Sequence, residues 1–508
     1  MRLFALVGLL LIISLSAPAE SATMGAMDEG AGGNLAVLST SPAARSLANP
    51  RNATITVDFD RAINPTTVTP QTVMAFGKWS GPVLGTLALS NGDQRITLTP
   101  NEGFFAGEVV MVMLSEGLLA QDGSRLPDGG FHFDFWVASA SGSLDFTVID
   151  TLSVRSNPSV QVQSYGGFAT DLNDDGWADL SIVNELSADI RTFLNRADGT
   201  GLFEDYLTPP AAVAFRASPS EPADFNGDGA VDVAVANIGD ASVSILLGNG
   251  DGTFGPQQKI TVGQSPRGIA VLDVDGDGDA DVVNSNYDSN NLSILLNNGN
   301  GVFGPPTFFE GGGNGEWALG AADMDEDGRA DLVVGTRDSQ TMITLHNEGD
   351  GTFTVMHVQP AGRAWMLMLG DLNGDRHVDV SVVNSDQNNG GILFGDGAGA
   401  LSPPTTYPTD PFALATDLGD IDGDGDLDWI TSSFSGDWRL FLNDGNGLFN
   451  LFQEFPATAA ASCALMVDID NDRDLDLALI DELDDTVQLA RQNGGELVER
   501  IYLPLVAK

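Results

Sequence analysis

Of 508 residues only one, Cys463, is a cysteine, so the chain can close no disulfide within itself. Outside a reducing compartment it must be held together by packing or by bound metal. Cations are scarce as well: 22 Lys and Arg stand against 71 Asp and Glu, a formal net charge of −49. A chain this poor in basic residues cannot build the positive face that nucleic acid requires, which excludes such a partner. Histidine is limited to His132, His346, His357 and His377. That supply leaves little for zinc or copper sites. No G-x-S-x-G elbow, H-E-x-x-H pair or phosphate-cradling loop is present. Helical periodicity is essentially missing from the C-terminal two thirds, and no apolar run beyond the N-terminus is long enough to span a bilayer. Disorder, the usual fate of a strongly acidic chain, is opposed by a 42% hydrophobic content arranged in β-branched runs.

What is present begins with a secretion signal. Arg2 supplies the positive start, residues 3–13 the apolar core, and Ala17-Pro18-Ala19 a small-residue cleavage site. The reading is a signal peptide over 1–19, a flexible mature N-terminus over 20–33, and a secreted or cell-surface protein without an integral span in the mature chain. Cys463 lies in the apolar run "ASCALMV" and reads as a buried small hydrophobe.

The dominant feature is a repeated aspartate cluster. "DLNDDGWAD" begins at 171, "DFNGDGAVD" at 224, "DVDGDGDAD" at 273, "DMDEDGRAD" at 323, "DLNGDRHVD" at 371, "DIDGDGDLD" at 420 and "DIDNDRDLD" at 468. Each copy follows a short apolar stretch such as "GIAVL" and precedes a valine-rich run such as "DVAVAN" or "DLVVGT". A polar loop, another short strand such as "LSILL", and an Asn/Gly turn such as "NNGNGVF" follow before a fourth extended stretch. Four short antiparallel strands in about fifty residues, seven times over, predict an all-β seven-bladed β-propeller.

The cluster has its own chemistry. Positions 1, 3, 5 and 9 are Asp171, Asn173, Asp175 and Asp179 in the first copy, and Asp224, Asn226, Asp228 and Asp232 in the second. They are Asp273, Asp275, Asp277 and Asp281 in the third, and Asp323, Asp325, Asp327 and Asp331 in the fourth. The fifth has Asp371, Asn373, Asp375 and Asp379, the sixth Asp420, Asp422, Asp424 and Asp428, and the seventh Asp468, Asp470, Asp472 and Asp476. Alternate side chains converge on one point while a glycine at position 6 permits a sharp turn, giving a cage of hard oxygens that suits Ca²⁺. An EF-hand would need a glutamate at position 12 between helices; Asn284 stands there in the third copy, inside a strand. Up to seven Ca²⁺ sites are expected. Arg376 and Arg473 replace the position-6 glycine in copies five and seven, which makes those two loops the weakest expected sites.

With these loops and the "FG" of Phe254-Gly255 and Phe303-Gly304, residues 157–508 resemble the FG-GAP/VCBS repeat proteins, whose best-known members are integrin α-subunit propellers. The resemblance implies calcium in the loops and a role in adhesion or ligand binding. Residues 34–141 alternate in runs such as "ATITVDFD" and "FHFDFWV", separated by Pro, Gly and Asn turns, which predicts a β-sandwich. This segment resembles the bacterial Ig-like domains of surface proteins, and residues 142–156 read as a linker. The resemblance leaves two alternatives to a binder of extracellular glycan or protein. One is a polysaccharide-active lyase or dehydratase on the same scaffold; the other is a passive structural surface protein.

The calcium loops and the Asn/Gly turns should share one end of the propeller. The opposite end carries Tyr287, Trp317, Arg363, Trp365, Tyr407, Phe412, Phe434, Trp438 and Arg439. Aromatic and Arg side chains on loops suit recognition, and Trp317, Trp365, Trp438, Tyr287 and Arg363 are the expected ligand-binding set. Two segments could close the ring: "SVQVQS" (159–164) and "ELVERIYLPLV" (496–506). The second is preferred because its connection to the last blade is local.

Overall fold

A computed structural model describes residues 33–493. The signal peptide (1–19), most of the segment 20–33, and the candidate closing strand at 496–506 lie outside the described residues. The architecture is all-β: nine four-stranded antiparallel sheets, and among the described residues a single 3-10 turn at Pro65–Thr67.

Two of the sheets face each other in the N-terminal sandwich. One runs Val37–Ser41, Ile55–Phe59, Arg95–Pro100, Gly85–Ser90; the other runs Gly81–Pro82, Val73–Gly77, Val109–Leu114, Phe131–Trp136. Alternation decides which side chains enter. Ile55, Val57 and Phe59 are buried while Thr56 and Asp58 point outward, and Asp58 meets Arg95 there in a two-pronged pair at 2.7 and 2.6 Å. Phe104 and Phe135 meet edge to face in the core, 5.7 Å apart.

The other seven sheets are propeller blades. In the third, the strands run from the axis outward as Pro266–Leu272, Asp281–Asn286, Asn291–Leu295 and Thr307–Phe309. Second strands are buried at every position, as Asp232–Asn237 and Asp331–Thr336 illustrate, because blades pack on both of their faces. That is why the sequence there is a continuous valine-rich run rather than an alternating one.

Closure differs from both expected solutions. The seventh sheet is completed by Phe146–Ser153, which pairs antiparallel with Thr486–Gln492 through Val487↔Leu152 and Gln488↔Thr151. The strand lies inside the segment read as the linker 142–156. An outermost strand buries little of itself: in "FTVIDTLS" only Leu152 is buried. It therefore carries no hydrophobic pattern to betray it. Residues 159–163 form no strand, and Ser164 opens the innermost strand of blade one, Ser164–Thr170.

The sandwich does not hang free on a tether. It is seated on the propeller end that carries the aspartate loops. Glu116 and His132 donate their backbone N–H to the carbonyls of Gly276 and Gly328, at 2.9 and 2.6 Å. Ala140 donates to Arg473 at 2.7 Å, and Asp171 donates to the carbonyl of Trp79 at 2.7 Å. Ser139 Oγ donates to the Asp420 carbonyl at 2.6 Å, and Arg45 Nε to that of Arg376 at 2.7 Å. Six of the seven loops are thus hydrogen-bonded to the sandwich. At the remaining loop the Leu84 side chain lies over Gly229.

Candidate metal loops and the opposite face

Every aspartate loop joins the first and second strands of its blade and is built by one set of bonds. The position-9 carboxylate accepts the position-2 N–H on one oxygen, as Asp281 does from Val274 at 3.0 Å and Asp476 from Ile469 at 3.0 Å. Its other oxygen accepts an N–H from the end of the third strand: Asn297 to Asp281 at 2.7 Å, Gln492 to Asp476 at 2.7 Å. The position-1 carboxylate accepts the position-6 N–H, at 2.9 Å from Gly278 to Asp273. That last bond requires a left-handed residue at position 6. Gly278 has φ +95°, and Arg376 and Arg473 adopt φ +69° and +86°, where glycine would be at ease.

The Asn/Gly turns do sit at this end, and they bridge blades. Asn297 Nδ2 donates to the Phe225 carbonyl of the preceding loop at 2.7 Å, and Asn443 Nδ2 to that of Leu372 at 2.9 Å. Asn195 Nδ2 reaches Ile469 at 2.8 Å across the junction where the ring closes.

In four of the seven loops three carboxylates come together. Asp273, Asp275 and Asp281 offer oxygens within 4.8 Å of one another, as do Asp323, Asp325 and Asp327; Asp420, Asp422 and Asp428; and Asp468, Asp470 and Asp476. Burial, reinforced by neighbouring carboxylates, pushes Asp273 up to about 8 and Asp428 to about 9. One oxygen each of Asp275, Asp420 and Asp470 is buried with no donor among the described residues. An all-oxygen donor set with such orphaned atoms fits a hard divalent cation. These acidic clusters could hold metal ions.

The loops are not equal. In copies one, two and five the position-3 residue is Asn173, Asn226 or Asn373, and its Nδ2 donates to Asp175, Asp228 or Asp375 at 3.0, 2.8 and 2.9 Å. The amide relieves the repulsion from within. In copy four, two arginines do so, with a histidine beside them. Arg45 of the sandwich pairs with Asp323 at 3.3 Å, Arg329 pairs with Asp327, and His346 Nδ1 lies 3.0 Å from Asp325. The repeat marks neither Arg45 nor His346. The histidine lies fifteen residues beyond position 9 and the arginine in another domain, so neither falls within the motif. Copies three, six and seven keep four carboxylates each; Arg491 lies 3.6 Å from Asp470, and the Arg51 charge bears on Asp468.

At the opposite end the expected set splits. Trp317 and Trp365 meet with ring centres 4.4 Å apart, Tyr287 packs edge-on to Trp317 at 4.9 Å, and Phe412 on Trp365 at 5.5 Å; Trp317 itself is buried, at 4% exposure, and carries its neighbours rather than an open face. Arg363 pairs with Asp386 at 2.7 Å on the same rim. Trp438 does not belong there. It begins the third strand of blade six, is fully buried, and donates its indole N–H to the Cys463 carbonyl at 2.8 Å. Tyr407 is likewise buried, against Trp429 and Phe449. Both were placed on loops because strand ends in the outer half of a blade are poorly marked in sequence. Two cations the sequence left unremarked complete the rim: Arg267 lies 4.1 Å over Trp317, and Arg337 lies 4.8 Å from Trp317 and 4.9 Å from Trp365.

Six overlapping matches to the FG-GAP-like repeat run without a break over residues 171–479, and a bacterial Ig-like domain matches residues 33–135. A blade-by-blade repeat over more than half of its length makes the chain a member of the FG-GAP-like repeat family. No curated protein matches it in sequence. Among solved structures it is similar to BBS1N in its complex with ARL6DN, at 13% identity and TM-score 0.48, over 68% of this chain and 99% of that one. It is also similar to a catalytically inactive virginiamycin B lyase from Staphylococcus aureus, at 13% identity and TM-score 0.45, over 70% and 100%. A lectin from Agrocybe aegerita that recognises non-reducing terminal N-acetylglucosamine shares 17% identity and TM-score 0.40, over 78% and 93%. No helix among the described residues is long and apolar enough to cross a membrane.

Proposed function

We propose that this protein is an exported, calcium-stabilised binding module that takes an extracellular glycan or protein on the propeller face away from the aspartate loops. The observation that carries the choice of face is the seat of the sandwich: the loop face is covered by backbone and side-chain bonds from another domain, which leaves the opposite rim open. That rim gathers Tyr287, Trp317, Trp365, Phe412 and three arginines, the residue types that dominate recognition surfaces. Calcium would be held by positions 1, 3, 5 and 9 of the loops, and its charge would offset the carboxylate repulsion at the root of each blade. The signal-like N-terminus supports export.

The test is a glycan array and a pull-down in millimolar calcium with the double variant Tyr287→Ala/Trp365→Ala. Capture should disappear while the calcium-dependent melting transition stays. Capture that survives the double change but fails when the outer surface of the sandwich is altered would assign the ligand to the wrong domain.

A further inference from the structure

The seven innermost strands enclose a cavity of about 290 Å³ along the propeller axis. It sits near the low end of the roughly 300–1,000 Å³ usual for small-molecule sites. Its walls are largely apolar, with Leu319, Leu367, Met368 and Leu414 among the lining residues. At the end next to the aspartate loops, Met111 of the sandwich enters the lining, and Lys78 of the sandwich pairs with Asp417 of blade six at 2.8 Å. The cavity is therefore blind. Its other end lies among Tyr165, Arg267, Trp317 and Trp365, each the second residue of its blade's innermost strand, and there the Trp365 indole N–H donates to the Tyr165 hydroxyl at 2.9 Å.

Arg267 is unusual among these arginines. Arg216 is paired with Glu185, and Arg337 and Arg363 share the single carboxylate of Asp386. Among the described residues Arg267 has no ion pair and no hydrogen bond, and its buried Nε has no partner. Only the Trp317 face, 4.1 Å away, holds the guanidinium in place. A buried guanidinium N–H without an acceptor is costly, and an anion is the natural acceptor for it. The Glu185 carboxylate bears on the Arg267 charge, but it is paired with Arg216, and burial pushes its carboxyl up. Glu221 also lines the cavity, and burial raises its carboxyl to about 7.

We propose that the axial cavity binds a small apolar monocarboxylate, with its carboxylate against Arg267 at the mouth and its apolar body in the shaft below. A planar guanidinium matches a carboxylate in two-pronged fashion, and one free guanidinium suits one negative charge. Aliphatic walls favour a hydrocarbon or aryl body over a sugar. This inference goes beyond the rim reading: it shares Arg267, Trp317 and Trp365 with the rim but does not depend on what the rim captures.

The test uses the full-length protein in calcium, titrated with phenylacetate and hexanoate and with the matching neutral amides. Binding is read by saturation-transfer NMR and by quenching of tryptophan fluorescence. The acids should bind at least tenfold more tightly than the amides, and Arg267→Gln should remove that preference while leaving amide binding unchanged. Arg267→Lys, which keeps the charge and loses the fork, should give an intermediate affinity, and unchanged calcium-dependent melting would certify that both variants fold. Equal binding of acid and amide, or an acid preference that survives in Arg267→Gln, overturns the proposal. So does failure of either acid to bind at millimolar concentration. None of these results touches the rim reading, which stands or falls on capture by the Tyr287→Ala/Trp365→Ala variant.

Discussion

Arg45, carried by the sandwich, places its guanidinium 3.3 Å from the carboxylate of Asp323, the first residue of the fourth aspartate loop. Both side chains are buried, at 9% and 4% exposure. The pair is an interdomain clamp; it takes Oδ2 of Asp323, whose Oδ1 is buried with no partner among the described residues, and its positive charge opposes a metal in that loop. Removing one partner of a buried pair typically costs about 3–5 kcal/mol because the other charge is left behind. Arg45→Met should therefore lower the melting temperature strongly in chelator. In calcium the drop should be smaller, because the freed Asp323 can join Asp325 and Asp327 around the ion. Equal drops in both buffers would show that Arg45 and metal do not compete.

Calcium should raise the stability of the propeller, and unequally from loop to loop. With free calcium about ten times a site's dissociation constant, each site contributes roughly 1.4 kcal/mol by mass action. Among the described residues, loops three, six and seven retain four carboxylates each with few ion pairs to a protein cation, whereas two arginines pair with loop four. These should form the tight class in a calorimetric titration. Asp422→Asn should remove one tight equivalent, whereas Asp327→Asn, in the loop already served by Arg45, Arg329 and His346, should leave that class intact. The reverse outcome would mean that protein cations do not compensate loop four.

Arg376 and Arg473 take left-handed backbone at φ +69° and +86°. An L-residue there gives up roughly 1–2 kcal/mol, of which glycine's extra freedom in the unfolded chain takes back a part. The net gain for Arg376→Gly or Arg473→Gly is about 0.5–1 kcal/mol. Chemical denaturation in chelator should show it as a higher midpoint at constant slope. Arg473→Gly should gain the more of the two, because the Arg473 Nε is buried without a partner. A lower midpoint in both variants would mean that the arginine stems pack usefully.

Much of this was legible in the sequence, and the limits are physical. The blades announce themselves because each must place an aspartate at positions 1, 5 and 9 and a valine-rich strand after them, and local chemistry of that kind repeats visibly. The sandwich was legible from strands such as Ile55–Phe59, whose alternation is clean. Its seat on the loops was not, since it rests largely on backbone groups: the carbonyls of Gly276, Gly328 and Arg473 accept whatever residue arrives. Trp438 misled because a tryptophan beside Gly436 looks like a loop residue until its blade partners are known. Arg267 went unnoticed because its meaning lies in what it lacks, a partner, and only coordinates reveal that.

The ring closes through Phe146–Ser153, and this makes a sharp prediction about the two ends of the propeller. Leu152 is the buried residue of that strand and packs in the same core as Val487, Leu489 and Phe455. Leu152→Asp would place an unpaired carboxylate there and forfeit the apolar contact, a loss of roughly 2–4 kcal/mol. Val148, in the same strand, is 52% exposed, so Val148→Asp should stay within about 0.5 kcal/mol of the parent. A chain ending at Asn493 retains all four strands of the seventh sheet and should melt as the full chain does. Closure matters because an unpaired edge would be left exposed without it, so Leu152→Asp should also speed proteolysis of blade seven. If removing residues 494–508 instead lowers the transition as much as Leu152→Asp does, the C-terminal segment contributes to the closed ring and the strand at 146–153 does not close it alone.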